Sequence, residues 1–147
     1  MTNKALQFCC AILFISGVSI STIANAEVHV SQSKHKLVIE NRVLRFEYDL
    51  SSGTYRAVDR RDDSVCITDG AFRINDCIST MRGVQHTWKS RNISDALGKG
   101  KSIIITISQP GKAVLWFEIT VYQSSPFIVF TGGFENLAES PVQVKTI

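Results

Sequence analysis

The chain has 147 residues, of which 20% are charged and 44% hydrophobic, and that length accommodates one domain. Its 16 basic and 13 acidic residues leave a net charge of +3, with no arginine-rich block and no basic patch interleaved with aromatics, so no nucleic-acid or other polyanion partner is expected. No segment carries a 3.6-residue apolar period over a dozen residues, which sets aside the helical fold classes.

Residues 1–26 read as a secretory signal peptide. Lys4 supplies a weak positive n-region, Phe8–Ile15 is an apolar run too short to span a bilayer, and Ala24-Asn25-Ala26 has the small-x-small pattern that signal peptidase cuts. A membrane anchor is the alternative, and the polar residues straight after the run argue against it. A lipoprotein signal fits less well, because bulky Phe8 precedes Cys9 and both cysteines lie inside the run. The expectation is a secreted or periplasmic chain, free of the membrane once cleaved. Cleavage removes Lys4 and no acid, so the net charge falls by one, to +2. It also removes Cys9 and Cys10, leaving Cys66 and Cys77 in an oxidising compartment. Two states are open for this pair. A bridge would close a loop of about a dozen residues and stabilise by about 3 kcal/mol; otherwise both are buried free thiols. The Asp69-Gly70 turn signal is not centred between them, so they need not face each other.

Glu27 to Lys36 is polar and reads as a loose arm or a short edge strand, and Leu37-Val38-Ile39 as a short apolar run. Val43 to Leu50 alternates, with Leu44, Phe46, Tyr48 and Leu50 on one face and Arg45, Glu47 and Asp49 on the other. Ser51-Ser52-Gly53 is turn chemistry, and Thr54 to Val58 returns as the partner strand. The mixed-sign run Asp59 to Asp63 reads as a solvated loop. Val65–Ile67, Ala71–Ile78 and Val84–Trp88 are strand candidates. Lys101–Ser108 is dense in β-branched residues that suit a strand. Pro110-Gly111 then makes a turn.

Ala113 to Asn136 gathers the densest set of large apolar residues, as two strands joined at Ser124-Ser125-Pro126. Leu115, Phe117, Ile119 and Val121 point one way and Trp116, Glu118, Thr120 and Tyr122 the other; Ile128, Phe130 and Phe134 share a face, with Gly132 between them. Burying each large side chain stabilises by roughly 1.5–3 kcal/mol, which places the core here. Pro141 with Val142-Gln143-Val144 begins one more alternating strand. Eight or more short strands with frequent turns predict an antiparallel β-sandwich over residues 27–147. Because the sequence stops inside a predicted strand, and an unpaired terminal strand is a liability, the sandwich is expected to be incomplete at its C-terminus, the front part of a longer protein.

Gly100-Lys101-Ser102 resembles the tail of a phosphate-binding loop, but Asp95 stands where a glycine is needed and Ile103-Ile104-Ile105 is strand rather than helix. His29, His35 and His86 are too scattered for a metal site, and Cys66 and Cys77 lack the C-x-x-C spacing of zinc ligands. No cofactor is implied. No G-x-S-x-G elbow is present. Glu118 and Glu135 are the acids on the central hairpin that a glycosidase mechanism would require about 5–10 Å apart; solvated sheet residues are the simpler reading. Trp88, Trp116 and Tyr122 are candidate carbohydrate contacts, since sugar rings stack their C–H faces on aromatics. Packing of the Trp116 face on a second sheet or a neighbouring domain is the favoured alternative. Asn92-Ile93-Ser94 matches an N-glycosylation acceptor, which carries meaning only outside bacteria.

Three ordered segments resemble the N-terminal β-supersandwich domain of α-galactosidase-like (melibiase-type) glycoside hydrolases. They are Asp95-Ala-Leu-Gly98-Lys-Gly100-Lys101 leading into a β-run, Phe117–Tyr122 followed by Ser125-Pro126-Phe127-Ile128, and Phe134-Glu-Asn136 leading to Pro141-Val142-Gln-Val144. Ala96 departs from the pattern by separating the aspartate from the leucine. The resemblance spans about residues 43–147. It implies a supersandwich packed against a downstream (β/α)₈ barrel that carries the catalytic aspartates. No position here matches those aspartates, so the chain alone is expected to be inactive. The partners implied are that barrel or an α-galactoside. A free-standing carbohydrate-binding module and an exported protein-interaction domain are the other two readings.

Overall fold

The structure, a computed structural model, describes residues 6–12, 27–75 and 77–136. Its strands are β1 (Leu6–Ile12), β2 (His29–Ser33), β3 (Lys36–Glu40), β4 (Leu44–Asp49), β5 (Thr54–Asp59), β6 (Ser64–Ala71), β7 (Arg73–Ile74), β8 (Cys77–Ile78), β9 (Gln85–Asp95), β10 (Gly98–Ser108), β11 (Val114–Tyr122) and β12 (Ile128–Glu135). One antiparallel five-stranded sheet has the order β1-β12-β11-β10-β9, the other β2-β3-β4-β5-β6, and β7-β8 is a small hairpin beside them. There is no helix among the described residues. The two large sheets bury their apolar faces on one common core, which is the all-β antiparallel sandwich that the alternation predicts.

The central hairpin forms as its pattern dictates. Leu115, Phe117, Ile119 and Val121 of β11 lie opposite Phe134, Gly132, Phe130 and Ile128 of β12, so both apolar stripes share the inner face. Ile103, Ile105 and Ile107 of β10 extend that face. From the other sheet come Leu37, Ile39, Leu44, Phe46 and Tyr48, all at most 2% exposed. Gly132 is required by packing rather than by a turn: a Cβ there would sit 2.9 Å from the Phe117 ring. That ring stacks on Phe72 at 4.1 Å between centroids, and Phe72 stacks in turn on Tyr55 at 4.6 Å.

Two polar devices tie the sheets together. Asn41, 1% exposed in the β3–β4 turn, donates through Nδ2 to the carbonyls of Tyr122 (2.7 Å) and Ser125 (2.9 Å), and its Oδ1 accepts from the amides of Val43 (2.7 Å) and Leu44 (2.9 Å). All four of its side-chain hydrogen-bonding positions are used. At the other end His86 sets Nδ1 2.7 Å from the Leu50 carbonyl and Nε2 2.9 Å from the Ser79 carbonyl, so that each ring nitrogen faces a carbonyl oxygen. Ser79 also bonds the Gly53 carbonyl and the Phe72 amide. Gly53 has φ of +75° and a Cβ there would meet the Ser79 carbonyl at 1.9 Å, so the β4–β5 turn takes glycine on both counts.

Several elements differ from the sequence expectation. Ala71–Ile78 is not one strand: the chain breaks after β6 and turns through Asn75, whose φ is +52°, to give β7 and β8. The strand expected over Val84–Trp88 runs on to Asp95, where the two-residue turn Ala96-Leu97 leads into β10. Its polar second half shows no apolar alternation because β9 is an edge strand with mostly exposed side chains. Glu27 to Lys36 contains the edge strand β2. The strand expected at Val142 lies outside the described residues.

Candidate functional site

The register of β9 to β12 builds one continuous outer surface. Lys89, Ile104, Glu118 and Thr131 form one row across the sheet; Arg91, Ser102, Thr120 and Val129 form the next; Thr87, Thr106, Trp116 and Gly133 flank them. Alternation puts these side chains opposite the isoleucine core of β10. Trp116 and Tyr122 therefore share this surface, as their sequence spacing implies. Trp88 does not: it pairs with Ile105 on the inner side and packs against the core, and its Nε1 donates to Gln32 Oε1 at 2.7 Å. The structure thus separates the three aromatics, with two on the outer face and one on the sandwich's inner rim.

The buried polar groups of this face are paired within it. Arg91 forks onto Glu118, with Nε 2.9 Å from Oε1 and Nη2 2.6 Å and 2.8 Å from Oε1 and Oε2. The Glu118 side chain is only 11% exposed and the Arg91 side chain 57%, so the guanidinium lies over a largely buried carboxylate. Ser102 and Thr120 hydroxyls meet at 2.7 Å, both buried. Tyr122, 4% exposed, donates its hydroxyl to Asp95 Oδ2 at 2.7 Å, while Asp95 Oδ1 accepts from the Leu97 amide and holds the β9–β10 turn. Burial first, and then the bond to Asp95, push the Tyr122 phenol up to about 12. Trp116 is half-buried on this surface and lies across the ladder from Gly133, which contributes no side chain.

Glu118 and Glu135 are not brought together as a hydrolytic pair. Glu118 lies opposite Thr131, four residues along β12 from Glu135. That is about 13 Å of strand at about 3.3 Å per residue, beyond either glycosidase spacing. Glu118 is moreover held by Arg91. The lysine-serine pair of the phosphate-loop-like segment sits within β10, where Gly100, Lys101 and Ser102 are paired on both sides. Among the described residues no three His, Cys, Asp or Glu side chains gather as metal ligands. Cys66 is exposed on β6 and Cys77 half-buried on β8, and both are free thiols.

A second polar site, which the sequence reading did not single out, is a cleft of about 260 Å³ on the other sheet. Lys36, Glu47, Asp49, Arg56, Thr68 and Asp69 line it. Glu47, 7% exposed, takes Lys36 at 3.2 Å and Arg56 at 2.9 Å. Asp49 caps the Ser51 and Ser52 amides, and the Ser51 hydroxyl holds its carboxyl below the usual range. Both cations of the cleft thus go to Glu47, and its three carboxylates outnumber them by one.

Sequence reasoning missed Arg91, Lys89, Ser102 and Ile104 as members of the outer face. Once β9 is known to reach Asp95, simple alternation from Trp88 assigns the first two. No protein-family model, no curated protein and no solved structure matches this chain.

Proposed function

We propose that this chain is an exported, non-catalytic β-sandwich that supports a catalytic (β/α)₈ barrel of the α-galactosidase-like kind on the outer face of β9 to β12. The observation that carries the reading is the state of that face. Trp116 is half-buried, Glu118 and Arg91 are locked together, and the Ser102–Thr120 and Tyr122–Asp95 hydroxyl bonds are complete. A face whose buried polar groups are already paired suits a packing surface, in which apolar contact and shape decide the fit. Its buried groups give little to a sugar, which is recognised through free hydrogen-bonding groups around an accessible ring. The Tyr122–Asp95 bond joins two of the three family-like segments across the sheet.

Three measurements on residues 27–147 test the proposal. The chain should release no chromophore from aryl α-galactosides; turnover abolished by one Asp or Glu substitution refutes the non-catalytic assignment. Its tryptophan fluorescence should not respond to galactosides; saturable binding that Trp116→Ala removes points instead to a carbohydrate-binding module. A barrel domain of this kind from the same genome, supplied as a separate chain, should co-purify with residues 27–147, and should fail to do so with Glu118→Lys in a folded variant.

A further inference from the structure

The apolar run that marks the leader is also a strand of the fold. β1 pairs antiparallel with β12 in the register Leu6↔Phe134, Gln7↔Gly133, Phe8↔Gly132 and Cys9↔Thr131, then slips before Ile12↔Val129. Five of the eight residues of Phe8–Ile15, the run on which the leader reading rests, therefore belong to this strand. A leader acts as a free segment that enters a bilayer. Lipid offers no hydrogen-bond partner there, so the segment must satisfy its backbone within itself, as a helix. In β1 the same backbone is extended and paired to β12. One segment cannot hold strand and helix dihedrals at once.

We infer, on the export reading proposed above, that this pairing is an autoinhibitory contact: the folded sandwich withdraws its own leader, so a chain that folds before it meets a membrane hides its export signal. The two states of the segment are mutually exclusive, and β12 competes with the bilayer for it. The sheet is arranged so that this contact can break alone. β1 is the outermost strand and pairs on one side only. Its ladder is interrupted between Cys9 and Ile12. On its other side β12 is held by β11 through eight consecutive positions, from Val114↔Glu135 to Val121↔Ile128, without a slip. Peeling β1 away therefore leaves the β11–β12 hairpin in place, and the opening of an edge strand is a local event rather than a global one.

Two measurements on uncleaved residues 1–147 decide this: amide hydrogen exchange read by mass spectrometry, and co-sedimentation with vesicles of phosphatidylcholine and phosphatidylglycerol. In the folded chain Leu6–Ile12 should exchange at least about tenfold more slowly than a free peptide, and the vesicles should leave the protein in solution. The same chain diluted from urea straight onto vesicles should bind them. Gln7→Pro removes a ladder donor opposite Gly133 and leaves Phe8–Ile15 intact. It should bring Leu6–Ile12 to the free-peptide rate, keep β12 protected, and let the folded chain bind vesicles. Free-peptide exchange of Leu6–Ile12 in the folded parent chain overturns the inference, as does equal vesicle binding by the folded parent and folded Gln7→Pro. Loss of β12 protection in Gln7→Pro overturns it too, because β1 would then be part of the domain's support. If the urea-diluted chain also ignores vesicles, the leader reading itself fails and the inference falls with it, an outcome told apart from the others by the unfolded sample alone.

Discussion

Replacing Asn41 with alanine should be the most damaging single polar truncation in the domain, and the structure sets its size. The side chain is 1% exposed and makes four hydrogen bonds, two to carbonyls of the β11–β12 turn and two from amides of its own turn. Asn41→Ala leaves all four groups without this partner. The Tyr122 carbonyl and the Leu44 amide belong to buried residues, whereas Val43 and Ser125 are part-exposed and regain water. An abandoned buried polar group costs about 1–3 kcal/mol. Two such groups, with smaller losses at the other two, give about 3–5 kcal/mol. At about 4 °C per kcal/mol for a domain of this size, the melting temperature should fall by about 12–20 °C. The urea midpoint should fall by about 1.5–2.5 M for a slope near 2 kcal/mol/M, with that slope unchanged. Asn41→Asp is the informative companion. It can still accept from both amides, but at neutral pH it faces two carbonyl oxygens with a carboxylate, so it should be no better than alanine and should improve on acidification, when a protonated oxygen can donate. A loss below about 1 kcal/mol for Asn41→Ala would refute the view that this residue couples the two sheets.

Two further outcomes follow from the same geometry. All three tyrosines have phenols raised by burial, Tyr122 to about 12, so their contribution to stability is whole below the unfolded-state value near 10 and is lost as the pH rises through the folded values. Native protein at about pH 10.5 should therefore show less tyrosinate absorbance than urea-unfolded protein, whose phenols are mostly ionised there, and equal ionisation of the native and unfolded protein would refute the burial argument. Arg91→Ala strands the Glu118 carboxylate; since Arg91 is more than half exposed, the loss should be about 1–2 kcal/mol, and Glu118→Gln in the same chain should recover most of it. A double-mutant cycle with no coupling would show the pair to be incidental.

The β-sandwich was legible because its core strands are amphipathic at period two. Leu115 to Tyr122 announces both faces of β11, and Phe46 and Tyr48 do so for β4. What was not legible is whatever depends on pairing at a distance. Asn41 reads as the polar end of a short run, and nothing near it in sequence reveals two carbonyls more than eighty residues away. Phe72 sits in a stretch that looks like one continuous strand. It is instead a break, in which the ring turns inward between Tyr55 and Phe117 and the backbone amide bonds Ser79. The candidate site was half legible: Trp116 and Tyr122 share a face by alternation, whereas Trp88 could be placed on the opposite one only from the β9–β10 register.

That register also determines what the outer face can recognise. Its buried charges and hydroxyls are paired within the sheet, whereas Thr87, Lys89 and Arg91 on β9 are exposed. A partner that covers it therefore removes water from those side chains as well as from Trp116, Ile104 and Val129, which remain part-exposed. Large aromatics at the centre of a contact commonly carry more of its binding energy than the surrounding polar groups. Trp116 lies between Thr106 and Gly133 and two residues from the Glu118–Arg91 pair, which would be that place under the proposed packing. Under the proposed packing the ion pair would act chiefly through its geometry, because the fork onto Glu118 holds the Arg91 guanidinium over the sheet on the same face as the tryptophan.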